Sequence, residues 1–75
     1  MDLHEVIERR RLPRPDARRA LRLAAGLRLQ DIADACGVTL QTVWRWENGR
    51  RHPRVGNVER YADILHKCQE VIGSE

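Results

Sequence analysis

Glycine and proline cut this chain into pieces so short that only a few packed helices fit between the cuts. Pro13 and Pro15 stand near the front, then Gly26, Gly37, Gly49 and Pro53. Between Gly26 and Gly49 there is room for two segments, about 29–36 and about 40–48, with Gly37-Val38-Thr39 between them. The first places Leu29, Ile32, Ala33 and Cys36 at helical spacing, and the second turns Val43, Trp46 and Glu47 inward. Two helices so closely joined need a turn residue that tolerates positive φ, which Gly37 supplies. Thr39 is a good N-cap for the second helix. Ala33 lies four residues before Gly37, where a small side chain lets the helices approach, and Val38 and Val43 plug the angle between them. No segment alternates with period two over strand length, so the chain reads all-α.

The flanks extend the same pattern. Pro15 suits the first turn of a helix over about 15–25, with Asp16 favourably placed against its dipole. Ala17, Leu21 and Ala24 mark its apolar stripe, Ala20 and Ala25 allow close packing, and Gly26 ends it. A last helix over roughly 57–71 carries Val58, Tyr61, Ala62, Leu65 and Cys68 at helical spacing. Leu3, Val6 and Ile7 suggest a short amphipathic helix in residues 2–11. The expected organisation is an arm or short helix over 1–14 and one domain over 15–75. A chain of 75 residues hides only about 60% of its unfolded surface, so the core is thin.

Several classes of function fall away here. No apolar run approaches the roughly 20 residues of a membrane span. The first residues hold acids and lack an apolar h-region, so they do not read as a signal peptide. Cytoplasmic location is expected, with Cys36 and Cys68 reduced and packed as small hydrophobes. His4, His52 and His66 lack metal-ligand spacing with each other or with the cysteines, so no metal and no cofactor is expected. There is no glycine-rich phosphate loop and no nucleophile–base–acid set, and the chain does not read as an enzyme.

Charge points to a partner. The net is +3, but residues 9–54 hold twelve arginines against Asp16, Asp31, Asp34 and Glu47. Residues 55–75 hold Arg60 and Lys67 against four acids, and residues 1–8 hold three acids and no Lys or Arg. A basic middle between acidic ends suggests one positive face for a polyanion. The plainer reading is a solvated arginine-rich surface.

Arg22, Gly26-Leu27, Ile32-Ala33, Gly37-Val38-Thr39, Thr42-Val43, Trp46-Glu47-Asn48-Gly49 and Pro53 together resemble the Cro/cI-type helix-turn-helix family, also called the xenobiotic-response-element family. The resemblance covers about residues 15–66 and is most specific from Gly37 to Gly49. It implies a lambda-repressor-like bundle of four to five helices that binds operator DNA, usually as a dimer. Many members are phage or plasmid repressors, transcription regulators or antitoxins. The expectation is a Cro-like repressor or regulator on double-stranded DNA with a palindromic operator. A weak or DNA-induced homodimer would use Ile64, Cys68, Val71 and Ile72, or the stripe of Leu3, Val6 and Ile7. Two alternatives stay open. Thr42-Val43-Trp44-Arg45-Trp46, Gly49 and the basic loop are also similar to phage excisionase-like architectural proteins, which usually continue into a β-wing. An antitoxin-type module would keep Ile64, Val71 and Ile72 for a protein partner.

The helix after Thr39 would present its N-terminal residues to a major groove. Gln41 suits adenine N6/N7, and Arg45, one turn on, suits guanine O6/N7 or a phosphate. The resemblance adds Leu40, facing a thymine methyl, and Thr42, facing a phosphate or a base, and it implies a core place for Trp46. Trp44 is counted with the base contacts that help specificity, on thymine methyls, with packing on sugar-phosphate or leaning on nearby arginines as its other readings. The resemblance runs the loop of Arg50, Arg51, His52 and Arg54 beside the DNA backbone. It gives Asn48 a phosphate, although capping the helix end is a rival role. Thr39 joins this phosphate-contacting set. Where the family often has Ser/Thr then Gln at the start of the second helix, this chain has Arg28 and Leu29, so Arg28 or Gln30 would take that contact. Arg9, Arg10, Arg11 and Arg14 are candidates for an arm along the backbone or minor groove. The resemblance also implies an ion pair between Arg22 and Glu47, both on otherwise inward faces, where a buried charge needs a partner.

Overall fold

The computed structural model describes Leu3 and residues 12–73, and among them all regular structure is helical. Four helices follow in order: α1 Pro15–Ala24, α2 Leu29–Cys36, α3 Leu40–Glu47 and α4 Val55–Gly73. The amphipathic stretch expected over residues 2–11 lies outside the described residues apart from Leu3, which is helical and exposed. The bounds of α2 are those the spacing predicts. The last helix begins two residues earlier and ends two later than expected. Residues 55–73 are thus one helix, in the place where a β-wing would follow the basic loop.

The joint between α2 and α3 forms as its residues dictate. Gly37 adopts φ 70, and the Val38 amide donates back to the Ala33 carbonyl at 3.0 Å. An L side chain rarely takes that backbone conformation. Thr39 is extended, and its Oγ1 accepts from the Thr42 amide at 3.2 Å, satisfying one of the open donors of α3. At the other end of α3, Gly49 has φ 67 and the Arg50 amide donates to the Arg45 carbonyl at 2.9 Å. This closure stops the helix before the basic loop.

Ile32, Ala33, Cys36, Val43, Trp46, Val58, Tyr61 and Leu65 form the core, with α4 lying across α1 and α2. The Trp46 and Tyr61 rings sit 4.9 Å apart, tilted by 37°. Cys36 and Cys68 are buried thiols, and burial pushes both above their ordinary value. Leu12, from the stretch expected to be an arm, joins the core just ahead of α1.

The reading of α1 needs correction. Ala17 and Leu21 are only half-buried and Ala24 is exposed, whereas Arg18 and Arg22 are buried. These arginines lie four residues apart, one above the other on a single face. Both find partners for their guanidinium groups, so their long stems can fill space that an alanine methyl could not.

Candidate nucleic-acid interface

Helix α3 is held from behind by two arginines of α1. Arg22 Nε donates to Glu47 Oε2 at 2.6 Å and its second terminal nitrogen donates to Glu47 Oε1 at 3.0 Å. The pair is bidentate and shielded, with Arg22 and Glu47 only 7% and 6% exposed. Arg22 also donates to the Leu27 carbonyl at 3.0 Å. The hydrogen bond that Arg22 donates to Glu47 raises the Arg22 pKa above its ordinary value, against the opposing effect of burial. Arg18 was not anticipated as a structural residue. Its Nε donates to the Pro13 carbonyl at 2.7 Å and a terminal nitrogen donates to the Trp46 carbonyl at 3.2 Å. Its guanidinium stands 5.9 Å from the centre of the Tyr61 ring, and desolvation lowers its pKa.

With Val43, Trp46 and Glu47 turned inward, α3 has an outer ridge and two flanks. Gln41 is exposed on the ridge, and Leu40 is exposed beside it. Thr42 and Trp44 are two residues apart, which is about 200° around the helix, so they lie on opposite flanks. The Thr42 flank opens into a cleft of about 260 Å³ that also gathers Arg45, Arg51, His52 and Arg54. Asn57 of α4 lines the same cleft and was missed by the sequence reading. The Trp44 flank faces a separate cavity of about 280 Å³ shared with Asn48, Arg19 and Leu29.

The candidate phosphate contacts divide by what already holds them. Arg28 donates to both carboxylate oxygens of Asp31, at 3.1 and 3.4 Å, and Asp31 also accepts from the Arg28 amide at 2.8 Å. These bonds hold the Asp31 carboxyl below its ordinary value. The Gln30 amide donates to Asp34 at 2.8 Å. Asn48 donates to the Trp44 carbonyl at 2.8 Å, so it caps the end of α3. Thr39 shares a 2.9 Å hydroxyl contact with Thr42 in addition to its capping bond. By contrast, Arg45, Arg50, Arg51 and Arg54 form no ion pair among the described residues. The structure therefore brings Thr42, Arg45, Arg51, His52 and Arg54 together and leaves Arg28 and Gln30 on their own acids at the start of α2.

Over residues 19–67 the chain matches the family model of the helix-turn-helix domain. That span is well over half of its 75 residues, and the chain belongs to this family. Helix-turn-helix domains are a DNA-binding class in which the second helix of the motif enters the major groove. No curated protein and no solved structure matches the chain. Among the described residues no helix is long and apolar enough to cross a membrane.

Proposed function

We propose that this protein binds double-stranded DNA sequence-specifically, as a Cro-like transcriptional repressor or regulator that reads the major groove with α3. The observation that carries the reading is the cleft beside α3. Arg45, Arg51 and Arg54 converge there without an acid to balance them among the described residues, next to a helix that exposes Leu40 and Gln41. Like charges held together repel, and a polyanion relieves that repulsion while releasing its own counterions.

In this reading Gln41 and Arg45 read base edges, helped by Leu40 and Thr42. Arg50, Arg51, His52 and Arg54 grip phosphates. Arg28, Gln30, Thr39 and Asn48 are secondary contacts, because each already has a partner within the fold, whereas Arg50, Arg51 and Arg54 form no ion pair among the described residues. The long α4 in the place of a β-wing favours the Cro-like reading over an excisionase-like one.

Dimerisation is part of the proposal. An apolar groove of about 220 Å³, lined by Leu27, Ile64, Cys68 and Val71, supports a second copy on that face. An antitoxin-type protein partner would use the same face. Binding selection from a random duplex library tests the function. One enriched motif, palindromic for a dimer, is the expected result, and recovery without enrichment overturns sequence-specific binding. Sedimentation on the selected duplex gives the stoichiometry, and one chain per site at saturation overturns the dimer.

A further inference from the structure

The cavity on the Trp44 flank is not needed by anything described so far. Trp44 is 46% exposed, a large apolar surface to leave in water on a helix that otherwise hides its tryptophan. Arg19 of α1 lines the same cavity, is exposed, and forms no ion pair among the described residues. Among the described residues the one acid in the lining is Glu47, and its charge is already neutralised by Arg22. Among the described residues the cavity thus combines an aromatic side chain with a guanidinium that has no acid paired to it.

We propose that this cavity seats the sugar-phosphate backbone of the second DNA strand, with Arg19 on a phosphate and the Trp44 ring against deoxyribose. The inference rests on α3 lying in a major groove. A helix in that groove has a backbone on each side of it, because the groove is only about 12 Å wide. The two flanks of α3 match that arrangement. Arg51 and Arg54 stand on the Thr42 side, Arg19 and Trp44 on the opposite side, and Gln41 lies on the ridge between them. Each strand then meets an arginine. Trp44 belongs with the backbone contacts, not with the base readers, and Arg19 becomes a binding residue. The apolar ring covers deoxyribose C–H groups, which carry no sequence information, so the contact positions the helix without specifying a base.

The test uses the full chain and its selected duplex, with a scrambled duplex as reference, over a salt series. Arg19→Ala, Trp44→Phe and Arg51→Ala are compared with the parent. Arg19→Ala should weaken both duplexes by a similar factor and make the slope of log K against log salt shallower by about one. Trp44→Phe should weaken both duplexes alike. Fluorescence quenching by acrylamide adds a direct readout. Trp46 is 2% exposed, so the quenchable emission comes from Trp44, and the duplex should protect it. An unchanged slope for Arg19→Ala beside a shallower one for Arg51→Ala overturns this inference and leaves the wider reading standing. A shift in preference at one base position on Trp44→Phe makes Trp44 a base reader and also overturns it. No salt-dependent duplex binding by the parent overturns both.

Discussion

The two edges that flank the motif hold their arginines in different states. At the start of α2, Arg28 is closed onto Asp31 and Gln30 onto Asp34. Across α3, Arg45, Arg51 and Arg54 share a cleft and have no acid to close onto among the described residues. Residue type alone makes Arg28 and the loop arginines the same kind of donor. Available charge differs, because a phosphate arriving at Arg28 must displace a carboxylate, whereas one arriving at the loop finds donors already waiting. Under the proposed function, the loop edge is the main source of affinity.

The largest effect should come from unseating α3 between those edges. Glu47→Ala leaves Arg22 buried with half its partners gone and should cost about 3–5 kcal/mol. That is most or all of what so small a fold has in reserve. A urea or thermal melt measures it, and a curve matching the parent contradicts the structural role of the pair.

Next come the residues expected to read bases. Gln41→Ala and Arg45→Ala should each cost roughly 1–3 kcal/mol on the cognate duplex and relax preference at one position. Arg45 is the sharper case, since it shares the cleft with the clamp arginines. Equal loss on cognate and scrambled duplexes would move it from reader to clamp.

The α2 edge can also be opened deliberately. Asp31→Asn keeps the shape but removes the charge that holds Arg28. If the comparison between the edges holds, this variant should bind DNA with a steeper salt slope, by up to about one. An unchanged slope means Arg28 does not reach DNA even when released. The same pair sets a pH expectation. Asp31 is held below its ordinary 3.8 by the Arg28 hydrogen bond, so the pair is intact above that value and is lost only as pH falls through the lower folded value. A carboxyl titration followed by NMR should place the Asp31 midpoint below 3.8; a midpoint at or above it denies the pairing in solution.

Smallest is a change in the core behind α3. The Tyr61 hydroxyl is buried with no hydrogen-bond partner among the described residues, and burial pushes its pKa up. Tyr61→Phe should leave stability level or raise it by about 1 kcal/mol. A loss of that size in the melt shows that the hydroxyl has a partner.

Much of the frame was legible because it depends on local chemistry. Gly37, Thr39 and Gly49 act through their own backbone conformation or a bond three residues away, so the ends of α2 and α3 follow from sequence within a residue. The burial of Arg18 was not legible, because its partners are the Pro13 and Trp46 carbonyls and only the tertiary fold brings Trp46 there. The exposure of Ala24 goes with it, since α1 turns the Arg18 and Arg22 face inward. Leu12 likewise joins the core through contacts made in the tertiary fold. The pairing at the α2 edge was within reach: Arg28 and Asp31 are three apart, and Gln30 and Asp34 are four apart, which are the spacings at which helical side chains meet. The cavity shared by Arg19 and Trp44 was not, since it joins α1 to α3.

The central claim is that the loop edge and not the α2 edge supplies the available charge. Salt-dependent binding of Arg51→Ala and Arg28→Ala to one cognate duplex tests it most directly. Arg51→Ala should lower the slope of log K against log salt by about one, with Arg28→Ala changing it by clearly less. An equal drop for the two variants, or a larger one for Arg28→Ala, would contradict the account.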